Sequence, residues 1–123
     1  MGYWILGIRN WGFWEGELSS VEIESGICGF TTRVAARQDG RKVSLHVESD
    51  CDAIQRLAAE LTEVEPFQEI TFRGEGPRTL KAGAKYCHHP ACPVPVGIIK
   101  AIEVEAGLAL PKDAVIKVSK SEG

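Results

Sequence analysis

Two stretches in the first half of the chain alternate between apolar and polar residues, which is typical of half-buried β-strands. The Asp39-Gly40 pair lies between them and predicts a two-residue hairpin loop, because both residues tolerate a positive φ. The apolar face of the first stretch, residues 27–37, is formed by Cys28, Phe30, Thr32, Val34 and Ala36. The apolar face of the second, residues 42–48, is formed by Val43, Leu45 and Val47.

The register of this hairpin predicts that two cysteines meet. With Asp39-Gly40 as the loop, Val34 faces Leu45 and Thr32 faces Val47. Continuing the same pairing along both strands places Cys28 opposite Cys51. Directly opposed residues in antiparallel strands have Cβ atoms about 4.5–5.5 Å apart. We therefore expect Cys28 and Cys51 to lie close enough to share a ligand or, after adjustment, to form a disulfide.

A helix is expected directly after the hairpin. Ser49 supplies a capping hydroxyl and acidic residues follow in the first turn, so the helix should begin near Cys51. Its apolar positions have the spacing of a helix face that packs on a sheet. These positions are Cys51, Ile54, Leu57, Ala58 and Leu61.

The second half of the chain contains further predicted elements. Residues 67–72 suggest a strand with Ile70 and Phe72 inward, and residues 114–119 a final strand with Ile116 and Val118 inward. A second helix is expected to begin after Cys92, where prolines suit the first turn, and to end at Gly107. Residues 73–92 show no clear period, although a helical turn over residues 79–84 could shorten this loop. An extra strand is possible at residues 21–24.

These elements predict an α+β fold, with a mixed or antiparallel sheet of four to five strands and two helices packed on one face. The length of 123 residues fits one domain. We expect a single α+β domain over residues 21–120, preceded by an aromatic N-terminal extension or flap over residues 1–20.

The first fourteen residues contain five of the nine aromatic residues of the chain. Such a cluster is expected either to cover one face of the core or to dock onto a protein partner. A start codon placed too early would produce the same change in composition. The aromatic residues are Tyr3, Trp4, Trp11, Phe13 and Trp14.

Charge and hydropathy exclude some classes of partner. A net charge of -3 and a pI near 5.6 argue against nucleic acid, because binding to phosphates needs a cationic excess. The first apolar run is too short to cross a membrane, and no cationic leader precedes it. We therefore expect a cytoplasmic protein, in whose reducing surroundings the cysteines are thiols or metal ligands rather than structural disulfides.

The four cysteines form the candidate site. Cys51 and Cys92 are expected at helix N-termini, where the helix dipole lowers the pKa of a thiol. Cys28 would join Cys51 through the hairpin, and Cys87 precedes Cys92 by five residues. If all four converge, they could hold an iron–sulfur cluster or a zinc ion, in electron transfer or metal handling.

Other uses of the same residues remain open. Zinc sites more often take two short Cys-x₂₋₄-Cys hooks, and only Cys87 and Cys92 form one here, which favours a cluster. His88 and His89 could replace one ligand or could be polar loop residues. A thiol–disulfide protein could use Cys51 or Cys92 as the attacking thiol, and the protein could equally hold no cofactor, with four unrelated buried thiols. A non-catalytic interaction module that docks through the aromatic N-terminus is a third possibility, and whether any substrate is turned over stays open.

The predicted loop over residues 73–92 is locally basic although the chain is acidic overall. Four cations stand there against Glu75 alone, and they could either be solvated or stabilise an anion or a thiolate. These cations are Arg73, Arg78, Lys81 and Lys85.

The sequence around the cysteines resembles that of a small family of uncharacterised cysteine-containing proteins from anaerobic bacteria and archaea. The similar segments are ICGFTTRV, VESDCDAIQRLA and YCHHPACPVPVGIIKAIEVEAGLALPKD. They lie between residues 20 and 119 and leave out the aromatic N-terminus. The resemblance implies a compact α+β domain with recurrent cysteines and no assigned activity, and an anaerobic setting would suit an oxygen-sensitive cluster.

Overall fold

The computed structural model describes residues 18–121, which form one antiparallel sheet and four helices. The strands are β1 (Ser19–Glu24), β2 (Thr31–Asp39), β3 (Lys42–Ser49) and β4 (Glu63–Val64). The helices are α1 (Asp52–Glu60), α2 (Pro66–Glu69), α3 (Arg78–Tyr86) and α4 (Val94–Glu105). Within the described residues, no helix is long and apolar enough to cross a membrane. The aromatic N-terminal segment lies outside them.

The sheet confirms the predicted α+β class. Its strands follow the order β1-β2-β3-β4, and every neighbouring pair is antiparallel. The strand suggested at residues 21–24 is present as β1. Two of the four helices, α1 and α4, pack against the sheet, and α3 packs against both of them. The fully buried side chains between these layers include Val34, Val43, Leu57, Ile98 and Ile102.

The β2–β3 hairpin forms where the alternation predicts it, but its register differs by two residues. Asp39 pairs with Lys42, so the loop is Gly40-Arg41 and the glycine, with φ +66°, takes the first loop position. Val34 therefore faces Val47 and not Leu45. Because the shift is an even number of residues, the same side chains still face the core.

This register overturns the predicted opposition of Cys28 and Cys51. The ladder begins where Thr32 faces Ser49, and Cys28 precedes it in the turn between β1 and β2. That turn is closed by the Gly29 N–H, which donates to the Gly26 carbonyl at 2.9 Å. Cys28 is exposed there.

The ends of both long predicted helices lie close to their expected positions. Cys51 is the N-cap of α1, and the Ser49 hydroxyl accepts a hydrogen bond from the Cys51 N–H at 3.1 Å instead of capping the helix itself. At the C-terminus of α4, the Leu108 N–H donates to the Glu103 carbonyl and the Gly107 N–H to the Val104 carbonyl. This pair of bonds is a Schellman motif around the positive φ of Gly107.

Two predicted strands are absent from the described residues. Residues 66–69 form α2, because Pro66 suits the first turn of a helix, and the side chains of Phe67 and Phe72 are exposed. Residues 114–119 form no strand, and Ile116 and Val118 are 81% and 90% exposed instead of buried. The helical turn suggested at residues 79–84 is the longer helix α3.

Candidate functional site: three half-buried cysteines

Three of the four cysteines lie at the ends of three different helices. Cys51 is the N-cap of α1, Cys87 is the C-cap of α3, and Cys92 directly precedes Pro93, the N-cap of α4. All three are half-buried and pack against the main hydrophobic core. The helix packing therefore places Cys51 in the neighbourhood of Cys87 and Cys92, although it lies far from them in the sequence.

Cys87 and Cys92 form a close pair within this group. The two residues lie 4.0 Å apart, and their thiols are in hydrogen-bonding contact. A turn between them, in which the Cys92 N–H donates to the His89 carbonyl at 3.4 Å, folds the chain back on itself. This pair could bind one soft ion or close a disulfide after a small movement.

Close packing of α3 on α4 holds this pair in place. A Cβ atom added at Gly83 would lie 2.8 Å from Cγ of Pro95, which is too short for an ordinary contact. Gly83 stands one turn before Cys87, and its carbonyl accepts the Cys87 N–H at 2.9 Å. The absence of a side chain at Gly83 thus lets the two helix ends approach. Sequence reasoning missed Gly83, although a glycine in a helix facing a proline-rich helix start was a usable signal.

The helix α3 is also tied to α1 on the exposed side. The Tyr86 hydroxyl donates to Glu60 at 2.6 Å and Lys85 donates to the same carboxylate at 3.1 Å. These hydrogen bonds, from Tyr86 first and then Lys85, hold the pKa of Glu60 below its usual range. They fix the segment of α3 that leads into Cys87.

The pKa of Cys87 responds to its burial and to the two neighbouring cysteines. The pKa of Cys87 is raised from 9.0 to about 11, mainly by burial and then by the charge of the neighbouring Cys92 and a hydrogen bond with it. Cys51 contributes in the same direction through its charge. Cys87 is therefore a neutral thiol at neutral pH in the absence of a cation.

The remaining predicted ligands stand apart from this group or at its rim. Cys28 is exposed in the β1–β2 turn. His88 and His89 are exposed, and Nε2 of His88 lies 3.9 Å from Oδ1 of Asp52, the first residue of α1. Within residues 18–121, no three cysteine, histidine or acidic side chains are close enough together to hold a metal ion as they stand.

Three of the four basic residues between positions 73 and 92 engage acids or the backbone. Lys81 pairs with Glu75 and Lys85 pairs with Glu60, each at 3.1 Å. The guanidinium of Arg78 donates to the Glu63 carbonyl at 2.9 Å. These contacts do not support the expectation that the basic side chains stabilise a thiolate.

Comparison with known proteins gives a family but no activity. No curated protein and no solved structure matches the chain. The model of a family of unknown function, DUF6951, matches residues 19–118, which include all four cysteines and the whole sheet. The chain therefore belongs to DUF6951, a family of unknown function.

Proposed function

We propose that this protein binds a thiophilic metal ion or an iron–sulfur cluster through Cys51, Cys87 and Cys92, in electron transfer or metal handling. The observation that carries the proposal is the packing of three half-buried thiols from three helix ends against one core. Thiols are the ligands that soft metals and iron–sulfur clusters select.

The distances and charges of the group fit this chemistry. In a tetrahedral site with metal–sulfur bonds of about 2.3 Å, two sulfurs are about 3.8 Å apart. Cys87 and Cys92 lie 4.0 Å apart, so this pair needs little movement. A bound cation would replace the protons of neighbouring thiols, and its positive charge would favour the thiolate form that burial, and then Cys92 and Cys51, disfavour at Cys87.

This set of three cysteine ligands differs from the four cysteines that the sequence suggests. Cys28 is exposed in a turn outside the hairpin ladder and is left out. His88 follows Cys87 directly and is exposed, so its imidazole is available as a fourth ligand after a small loop movement. An external ligand could complete the site equally well. Cys87 and Cys92 are close enough to share an ion, but no third ligand among the described residues is. Binding must therefore draw Cys51, at the start of α1, toward the Cys87–Cys92 pair.

A second candidate function is a reversible disulfide between Cys87 and Cys92, and their 4.0 Å separation favours it. The step would form the sulfur–sulfur bond, at about 2.05 Å, while two electrons and two protons pass to a disulfide of a partner, which becomes two thiols. This reaction needs two cysteines and does not need Cys51.

Cys51 therefore separates the two functions. Protein prepared without oxygen should be titrated with Co²⁺, and separately with iron and sulfide, while sulfur-to-metal charge-transfer bands are recorded. Metal binding predicts bands that are lost in C51S, C87S and C92S. The matched control C28S, which changes the exposed cysteine, should keep them. A C51S variant with unchanged bands, or wild type without bands, would contradict the three-cysteine site.

The disulfide is tested on the same variants. Mass spectrometry after treatment with oxidised glutathione, which is reduced to two glutathione thiols, should then show the loss of two hydrogen atoms and a bond between Cys87 and Cys92 in both wild type and C51S. Absence of this bond in wild type would exclude the second function.

A further inference from the structure

The C-terminal segment, residues 114–119, has the sequence of a buried strand but no strand partner among the described residues. Its side chains alternate, and Val115, Ile116 and Val118 are 72%, 81% and 90% exposed. The DUF6951 match extends to residue 118, so this segment belongs to the region that the family model covers. Three neighbouring apolar side chains in water are costly unless another surface covers them.

The sheet offers an edge of matching length. Within residues 18–121, β1 is hydrogen-bonded to β2 alone, so its outer edge carries six residues of backbone without a strand beside it. Such an edge is a template for a further strand. Val21 faces the core side together with Ile23, yet it is half-buried while Ile23 is 8% exposed. An additional strand beside β1 would cover Val21.

We propose that residues 114–119 of one copy of this chain pair with β1 of a second copy, so that two chains exchange C-terminal strands in a symmetric dimer. Each copy contains both the segment and the edge, and reciprocal exchange closes the assembly at two chains. A second copy is the occupant because it supplies both matching parts, a six-residue edge that carries Glu22 and a six-residue apolar segment that carries Lys117. In the single chain this segment lies off the sheet with its apolar side chains in solvent.

The side-chain pattern and the charges agree with this pairing. When Ile116 and Val118 face the core side, beside Val21 and Ile23, Lys117 faces the opposite side of the sheet. Lys117 then stands beside Glu22. This holds for parallel and antiparallel pairing alike, because Lys117 lies between Ile116 and Val118 just as Glu22 lies between Val21 and Ile23. Glu22 already lies 3.4 Å from Arg33 on β2, so Lys117 would add a second cation to the same carboxylate.

Two valines provide a matched test. Val118 would be covered in the dimer, whereas Val115 would face the other side of the added strand. In the single chain both are exposed, Val118 more than Val115, so without exchange V118S should have no more effect than V115S. Sedimentation equilibrium of the full chain, in reducing buffer to exclude disulfide dimers, would measure the dissociation constant of the dimer.

We expect wild type and V115S to form dimers of similar affinity, and V118S to raise the dissociation constant about tenfold or more, as the loss of a buried apolar side chain does. K117E should weaken the dimer, and E22K combined with K117E should recover part of the loss. Because Lys117 is exposed, K117E tests the interface without disturbing the core.

Three results would overturn the inference. A wild-type chain that is monomeric up to about 100 µM would contradict the dimer, because even weak specific interfaces are largely occupied at such a concentration. Equal dissociation constants for V115S and V118S would contradict the proposed pairing, in which Val118 is covered and Val115 is not. A monomer in which V118S alone lowers the melting temperature would show that the strand docks within its own chain. None of these readouts depends on metal binding, so the two proposals fail separately.

Discussion

Among the residues that the structure describes, Glu69 is the acidic or basic side chain most completely withdrawn from water, at 1% exposure, and it organises the start of α3. Its carboxylate accepts hydrogen bonds from the Arg78 N–H at 3.0 Å, the Thr79 N–H at 2.9 Å and the Thr79 hydroxyl at 2.6 Å. The helix has no side-chain cap of its own, because its N-cap is Pro77. Glu69 therefore supplies from α2 the acceptors that the first turn of α3 needs.

We predict that E69Q destabilises the protein by about 1–3 kcal/mol, because the amide nitrogen would face a backbone N–H and leave a buried donor unsatisfied. Urea denaturation followed by circular dichroism measures this loss. The control is E65Q, which changes an exposed glutamate at the start of α2 that makes no side-chain capping bond. Equal unfolding free energies for E65Q and E69Q would show that the buried hydrogen bonds contribute nothing.

Cys87 predicts a dependence of stability on alkaline pH. Burial, and then the neighbouring Cys92 and Cys51, raise its pKa in the folded protein from 9.0 to about 11. A raised pKa means that folding favours the neutral thiol. This contribution to the free energy of unfolding is complete below pH 9 and is lost as the pH rises through 11.

The metal-free protein should therefore lose stability between pH 9 and 11, and C87S should lose less over the same interval. Urea denaturation of both proteins at a series of pH values measures the difference. C28S serves as the control, because its thiol is exposed and should leave the wild-type slope intact. A C87S profile parallel to wild type would contradict the folded-state pKa of Cys87.

At the level of elements, alternation and helix-end signals predicted most of the fold. The faces of β2 and β3 and the ends of α1 and α4 follow from patterns that each element carries within its own sequence. The hairpin register did not, because Asp39-Gly40 and Gly40-Arg41 are both acceptable loops and both keep the same faces inward. Residues 114–119 alternate as a strand does, but a strand also needs a neighbouring edge, which no local pattern specifies.

The contact between α4 and β1 gives a prediction at this scale. Gly97 lies against Ile23, and a Cβ atom added there would overlap the Ile23 side chain, with Cγ1 at 2.5 Å. G97A should therefore cost about 1–3 kcal/mol of stability, although alanine favours the helix, because overpacking outweighs helix propensity.

A compensating change tests the cause of this loss. I23A removes the overlapping atoms, so G97A should cost clearly less in the I23A background than in wild type. Thermal denaturation of the two single variants and the double variant measures this coupling. Additive losses would contradict the steric contact between Gly97 and Ile23.

For the whole molecule, the candidate site depends on how three helices pack. The sequence therefore predicts where a cysteine lies on its own helix, but not which cysteines the packing brings near each other. The helix-end positions of Cys51 and Cys92 followed from capping and proline signals. That Cys87 joins them depends on the close approach of α3 and α4 at Gly83 and Pro95, which is a tertiary contact. Cys28 was included through a register two residues away from the observed one.

If the three cysteines bind one ion, the ion should stabilise the entire fold, because it would connect the ends of α1, α3 and α4. A ligand that binds only the folded state adds about 2.7 kcal/mol to the free energy of unfolding at a concentration one hundred times its dissociation constant. Urea denaturation with and without Zn²⁺, in reducing buffer, should show this gain for wild type and for C28S.

The gain should disappear in C51S as well as in C92S, although each removes a different helix from the site. Their metal-free stabilities provide the baseline, so that a loss of packing is separated from a loss of binding. Stabilisation that survives in C51S would restrict the site to Cys87 and Cys92 and leave α1 unconnected. Because the gain is measured on global unfolding, it reports whether the site joins the three helices or binds at the loop between two of them.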